Sequence, residues 1–291
     1  MLALQILVDG FAISALYGLG AVGFALIFGV SGVLNLAHGS ILVLAAMTAW
    51  LVASQTGMGL GLAVAAGSAA GCIASFATFL LVVRPIQRSR ALPTAEKEVF
   101  ILTATLLWGI MIQEAIAYFF TDNPKGVPPL IAGVSHIAGV RVPNNQILVT
   151  PVCWLAIGLL WLLVNRTKIG QTLLAASMNL RGLILLGFDP SRIFLLAWTV
   201  YGILAGIAGV LLATFIGASS AQVGTLTASA FTIVVLGGLG SVGGALIAAY
   251  LVGYLETITA YLLSPTLRTI PALILLVLVV YARPRGLLGR H

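Results

Sequence analysis

Apolar positions in this chain come in runs of membrane length, not in the roughly ten-residue alternating stretches of a β-barrel. No Asp, Glu, Lys or Arg lies between Asp9 and Arg84. That interval is long enough for about three membrane passes, with polar punctuation at Asn35–Ser40 and Ser54–Gly61. Further apolar runs cover about Phe100–Phe120, Ile147–Val164, the charge-free interval Ile193–Leu255, and Ile270–Ala282. The pattern predicts an all-α, polytopic integral membrane helical bundle. It has about eight hydrophobic segments, some of them re-entrant or broken, in one transmembrane domain over residues 1–291.

Composition narrows the class further. Of 291 residues, 60% are hydrophobic and 7% charged, whereas soluble domains carry about 25% charged residues. A soluble enzyme and a disordered chain are both excluded. The net charge of +7 reads as retention of basic loops on the cytoplasmic side, not as a nucleic-acid surface. Met1–Val8 carries no Lys or Arg, so the first apolar segment is expected to stay in the mature protein. Cys72 and Cys153 lie in separate apolar runs and read as reduced and inert.

Charge also sets the topology. Arg84, Arg88, Arg90 and Lys97 mark one cytoplasmic loop, about 84–99. Arg166, Lys168, Arg181 and Arg192 mark a second, about 165–192, and Arg283, Arg285 and Arg290 mark a cytoplasmic tail, 283–291. This leaves only Lys125, Arg141 and Arg268 of the 14 cationic residues outside, the first two in a loop of about 121–146.

Between Arg192 and Arg283 the chain must then cross an even number of times, yet hydropathy shows three runs: about 193–215, 228–257 and 270–282. The middle run contains Gly237-Gly238-Leu239-Gly240-Ser241-Val242-Gly243-Gly244. Each interior glycine costs about 1 kcal/mol of helix stability relative to alanine, so the helix should break there. Two half-helices entering and leaving from the outer side would restore parity, with the glycine segment buried in protein or lining a pathway. Asn35–Ser40, followed by the small apolar stretch Ile41–Ala49, is a weaker echo in the first half, as expected of structural repeats.

Candidate chemistry is sparse. Gly18–Gly23 and Gly238–Gly243 match GxGxxG but lie inside membrane-length runs, so no dinucleotide site follows. Gly67/Gly71 and Gly202/Gly206 instead have the small-xxx-small spacing that lets helices approach closely in lipid. No GxxxxGK[ST] occurs, so an ATP-driven role requires a partner subunit.

The ionisable residues expected within the membrane are Asp9, His38, Glu114 and Glu256. Asp9 and Glu256 lie near segment ends and are expected to reach the interface. Glu114, next to Gln113, reads as the deepest acid, either a packing hydrogen bond or a pathway or proton site. His38 is either satisfied by Asn35 or backbone, or lines a pathway.

In the second basic loop Leu180, Leu183, Ile184 and Gly187 recur at helical spacing, and Gly187 with Pro190 gives a stop signal. With Arg181 as its one cation, such an apolar-faced helix suits docking to a protein more than to a lipid surface.

Four stretches carry a resemblance over nearly the whole chain. They are Asn35–Ser40 (NLAHGS), Leu236–Gly244 (LGGLGSVGG), Arg166–Gly170 leading to Leu186-Gly187-Phe188, and Arg283–Gly289 (RPRGLLG). In this order they resemble the inner-membrane permease of branched-chain amino-acid ABC importers. The resemblance implies a multi-pass permease of the bacterial inner membrane with a cytoplasmic C-terminus. It also implies a homologous second permease subunit, two cytoplasmic ATPases, and a periplasmic solute-binding protein. ATP and Mg would be bound by the ATPases, with no cofactor and no metal on this chain. An autonomous proton-coupled secondary transporter is the alternative, with Glu114 or His38 as its coupling group.

The pathway candidates are Asn35, His38, Ser40, Glu114, Gly237, Gly238, Gly240 and Ser241. By resemblance the ATPase-coupling helix carries Ala175, Ala176, Asn179, Leu180, Arg181, Leu183, Ile184 and Gly187. Two departures stand out. The coupling segment reads SMNLRGLILLG where relatives are Ala- and Arg-rich with a midway acid, and Ser40 stands where an acidic residue often occurs. The resemblance therefore spans leucine-type and other neutral amino acids, amides and urea as solutes.

Overall fold

The computed structural model describes residues 2–56, 60–89, 93–129, 131–137 and 140–289. Arg90 and Arg290 of the basic segments lie outside the described residues. Among those described, nine helices are long and apolar enough to cross a membrane, so the chain is an integral membrane protein.

The helices are α1 (Leu2–Ser31), α2 (His38–Thr56) and α3 (Leu60–Ala77), the last continuing through a π-helical stretch, Thr78–Val83, into α4 (Arg84–Arg88). Next come α5 (Thr94–Phe120), α6 (Asn144–Arg166), α7 (Lys168–Leu185) and α8 (Pro190–Ile216). The series ends with α9 (Val223–Gly237), α10 (Val242–Leu262) and α11 (Ile270–Ala282). One small antiparallel pair, β1 (Val134–Ile137) and β2 (Val140–Pro143), departs from the all-α pattern, with Ser135 opposite Val142.

Local signals place the ends. Thr167 Oγ1 accepts from Gly170 N at 3.0 Å to start α7, and Asp189 caps α8 ahead of Pro190. Gly187, with φ of 87°, stops the segment after α7 as its sequence position requires.

Two helix pairs are built alike. Helix α1 ends at Gly32 (φ 66°) and α8 at Gly217 (φ 73°), left-handed conformations natural to glycine. In both cases the next helix, α2 or α9, starts six residues later, at His38 or Val223. The return segment of the first pair leads back into the bundle. His38 stacks on Phe24, seven residues back from the end of α1, which is about 10 Å along its axis. On the other pair Gly209, seven residues back from the end of α8, lies against Leu42 of α2.

The packing repeats the relation. Helix α1 packs chiefly on α10 and α8 on α3, and α1 and α8 run antiparallel through Gly20–Ala208 and Gly23–Leu204 contacts. Opposed, antiparallel pairs of this kind form an inverted repeat. The true counterpart of the Asn35–Ser40 break is therefore the 217–222 segment, not the glycine segment.

The glycine pairs read from sequence face each other across α3 and α8. A Cβ on Gly71 would lie 2.6 Å from Gly206 Cα, and one on Gly206 would lie 2.6 Å from Ser68 Cα. The backbones meet because neither glycine carries a side chain.

The glycine segment corrects the expectation of half-helices. It is the turn between two membrane-length helices, Ser220–Gly237 and Val242–Leu262, so four helices follow Arg192 and the crossing number is even. The turn meets the basic tail: Leu287 N donates to Leu236 O at 2.9 Å and Leu288 N to Gly237 O at 3.0 Å. It belongs to the end of the bundle that holds the tail, away from membrane mid-depth.

Candidate functional site

The first helix break is held by a buried polar cluster. Asn35 Oδ1 accepts from Ala37 N at 3.1 Å, which turns the chain into α2, while Asn35 Nδ2 donates to Tyr201 Oη of α8 at 3.1 Å. His38 Nδ1 lies 2.8 Å from the same Tyr201 hydroxyl. Ser40 Oγ donates to Ala37 O at 2.8 Å, and Leu36 N reaches Thr105 Oγ1 of α5 at 3.3 Å. Asn35, His38, Ser40 and Tyr201 are all fully buried. Non-helical backbone at membrane depth needs such partners, since no water is there to satisfy it. These residues clamp the bundle core; they do not line an open groove.

Tyr201 was not visible in the sequence as a partner. An aromatic residue in an apolar helix reads as packing, and only folding brings its hydroxyl to Asn35 and His38.

The second break is tied to the loop that follows α5. Lys125 and Ala218 exchange backbone hydrogen bonds at 2.8 and 2.9 Å, and the Ser220 hydroxyl donates to the Asp122 carboxylate. Lys125 Nζ sits 5.0 Å from the centroid of the Trp50 ring. The two breaks meet where Gly39 N donates to Thr227 Oγ1 of α9 at 3.0 Å.

The acids are placed differently from the sequence expectation. Glu256 is 3% exposed and accepts from Tyr17 Oη at 2.8 Å, so it is a buried group of the bundle and does not reach an interface. Glu114 is exposed on α5, so among these acids the most buried is Glu256. Asp9 accepts hydrogen bonds from Gln5, Gln146 and Tyr261.

Beside both breaks runs a groove of about 520 Å³ between α5 and α9. Leu106, Gly109 and Gln113 line it on one side and Gly224, Thr227 and Phe231 on the other. It is apolar apart from the Gln113 amide and the Thr227 hydroxyl.

The α7 segment is an elbow. Its helix is broken at Asn179 (φ −154°, ψ 86°), and Asn179 Oδ1 accepts from Gly182 N at 2.9 Å, starting a second short turn. Ala176 and Leu183 point inward, Ala175 and Leu180 are half-buried, and Arg181 and Ile184 are exposed. The expected stripe from Leu180 to Gly187 is thus divided. Gly187 lies past the helix end, and the outer surface carries Met178, Leu185, Leu186 and Phe188, with Leu185 at 88% exposure. At its start α7 is locked to α6: a Cβ on Gly170 would lie 1.9 Å from Leu163 O. In the turn joining α9 and α10, Gly237 and Gly238 are buried, Gly240 packs on Gly29 of α1, and Ser241 Oγ caps α10 through Gly244 N at 3.1 Å.

The chain is similar to known proteins over its full length. The family described as branched-chain amino acid transport system, permease component, matches residues 6–281. A high-affinity branched-chain amino acid transport system permease protein, BraD of Pseudomonas aeruginosa, is 30% identical over 99% of this chain and 96% of its own length. The permease protein LivH of Salmonella typhimurium is 27% identical over the same shares. An autoinducer 2 import system permease protein, LsrC of Klebsiella pneumoniae, is 33% identical over 57% of this chain and 50% of its own length. A match across nearly every helix, on a bundle of membrane-length segments, assigns the chain: it belongs to the family of permease components of branched-chain amino acid transport systems, the membrane-spanning subunits of ABC importers.

Proposed function

We propose that this chain carries branched-chain or other neutral amino acids across the bacterial inner membrane, with its C-terminus in the cytoplasm. In this reading it pairs with a homologous second permease subunit and receives solute from a periplasmic binding protein. Two cytoplasmic ATPases bind ATP and Mg and hydrolyse the nucleotide. The observation that carries the reading is the α7 elbow: an exposed apolar surface of Met178, Leu185, Leu186 and Phe188 beside basic Arg181, on a segment locked to α6 and leading through Asp189 into α8.

A push on that elbow has a mechanical route. Helix α8 carries Tyr201, which clamps the first break, and ends in the second break. Moving α8 therefore shifts both broken-helix pairs, and with them the α5–α9 groove between Gln113 and Thr227. Glu114, exposed on the outward side of α5, suits a face covered by the second permease, because a carboxylate facing lipid costs several kcal/mol. The buried Asn35, His38 and Ser40 hold the wall of the path. The turn at Gly237, Gly238, Gly240 and Ser241 belongs to its cytoplasmic end.

The test is a pull-down of the tagged chain from its native membranes in mild detergent, assayed for vanadate-sensitive ATPase activity. A stoichiometric ATPase partner is the expected result, with Leu185→Asp or Arg181→Glu lowering both ATPase stimulation and uptake while membrane insertion persists. Wild-type activity in both variants would remove the docking surface. Robust uptake by the isolated chain in liposomes under a proton gradient would overturn the ATP-driven reading.

A further inference from the structure

A cavity of about 30 Å³ lies where α1, α2, α8 and α9 converge, the four helices of the two interrupted pairs. Tyr17 and Gly20, His38 and Leu42, Ala208 and Ser229 form its walls. It is far smaller than the groove between α5 and α9 and cannot hold an amino acid, so it is separate from the proposed path.

The hydrogen bonds around His38 favour one tautomer. The Asn35 amide donates to the Tyr201 oxygen, and among the described residues His38 Nδ1 is the one acceptor within reach of the Tyr201 hydroxyl proton. A proton on Nε2 leaves Nδ1 free to accept it. Nε2 is buried and has no partner among the described residues. A Cβ on Gly20 would stand 3.6 Å from it, so Nε2 faces the cavity at that glycine. Stacking on Phe24, with centroids 5.1 Å apart and planes 8° from parallel, prevents the ring from turning away. A buried donor left unmade costs roughly a 5- to 150-fold factor in the folding equilibrium. Ser229, on α9, makes no hydrogen bond among the described residues.

We propose that this cavity is a binding site for one water molecule, which accepts from His38 Nε2–H and bonds the Ser229 hydroxyl. The volume exceeds the roughly 10–15 Å³ that a water needs, and two polar partners meet the minimum for holding one. The water joins α2 to α9 across the axis relating the two repeats. As one helix pair shears past the other, a mobile bridge keeps His38 satisfied where a direct side-chain bond would break.

Two measurements test this on the full-length protein in detergent or lipid. The first is a thermodynamic cycle with Gly20→Ala, whose methyl would occupy the cavity while meeting His38 Nε2 at 3.6 Å and Ala208 Cβ at 3.9 Å, both ordinary contacts. The substitution should lower the folded-to-unfolded ratio about tenfold in the wild-type background and leave it unchanged or raised in a His38→Phe background. An equal effect in both backgrounds overturns the site. The second is solid-state NMR of ¹⁵N-histidine-labelled protein, with His38 assigned by the same variant. The expected spectrum shows a protonated Nε2 receiving polarisation from water, a transfer abolished by Gly20→Ala. A proton on Nδ1, or no transfer to Nε2, overturns the site regardless of how the variants fold.

Discussion

The two helix breaks share a plan and differ in what holds them. Each starts at a left-handed glycine, Gly32 or Gly217, and each delivers its next helix six residues later. The first is secured inside the bundle, where Asn35, His38 and Tyr201 share one hydroxyl. The second is secured by Asp122 and Lys125 of the loop that follows α5. A break in the dry core must satisfy its polar groups with side chains from a neighbouring helix. A break beside a loop can use the loop, and although Ala218, Ser219 and Ser220 are buried, water can reach the exposed Asp122. The first should therefore be brittle and the second tolerant.

The sharpest way to break this comparison is Tyr201→Phe. It orphans an amide and an imidazole at once, at roughly 1–3 kcal/mol for each buried group. A thermal-shift assay in detergent should report a fall of several degrees, and an unchanged melting temperature would contradict the clamp. Gly32→Ala and Gly217→Ala come next. Both strain a left-handed backbone and should cost similar amounts, about 1–2 kcal/mol each, by the same assay. A large difference between them would deny the equivalence of the two breaks. Ser220→Ala follows at about 1 kcal/mol, because water can take over its role beside Asp122. The smallest change is Lys125→Ala, which removes a cation from over Trp50 at about 0.5–1 kcal/mol. If Ser220→Ala proved as damaging as Tyr201→Phe, the exposed Asp122 would not be satisfied by water and the second break would not be the tolerant one.

These residues also mark how far the sequence could be read. The first break was legible because Asn35 and His38 are conspicuous in an apolar interval. The second was missed because Gly217 to Gln222 is small and uncharged, so the gap between the runs 193–215 and 228–257 reads as an ordinary connection. Its absence from the reading led the glycine segment to be paired with Asn35–Ser40 and set at membrane depth. What fixes the glycine turn at the bundle's end is a hydrogen-bonded contact with Leu287 and Leu288, a long-range pairing that no local pattern announces. The stripe Gly67/Gly71 against Gly202/Gly206 was readable because close helix approach requires small residues at fixed spacing. That Glu256 is buried and Glu114 exposed was not legible, for a different reason. Depth along a helix is legible, but which face turns inward depends on neighbours that the sequence does not name.

The pairing of the tail with the glycine turn also imposes an order on biosynthesis. The carbonyls of Leu236 and Gly237 receive their tail hydrogen bonds only once Leu287 and Leu288 have left the ribosome. Until then the α9–α10 hairpin sits in the membrane with its turn unfastened. Assembly of this protein is thus a two-stroke process. The helices that share the dry clamp, α8 included, can pack before the tail arrives, and Leu287 and Leu288 then fasten the turn between α9 and α10.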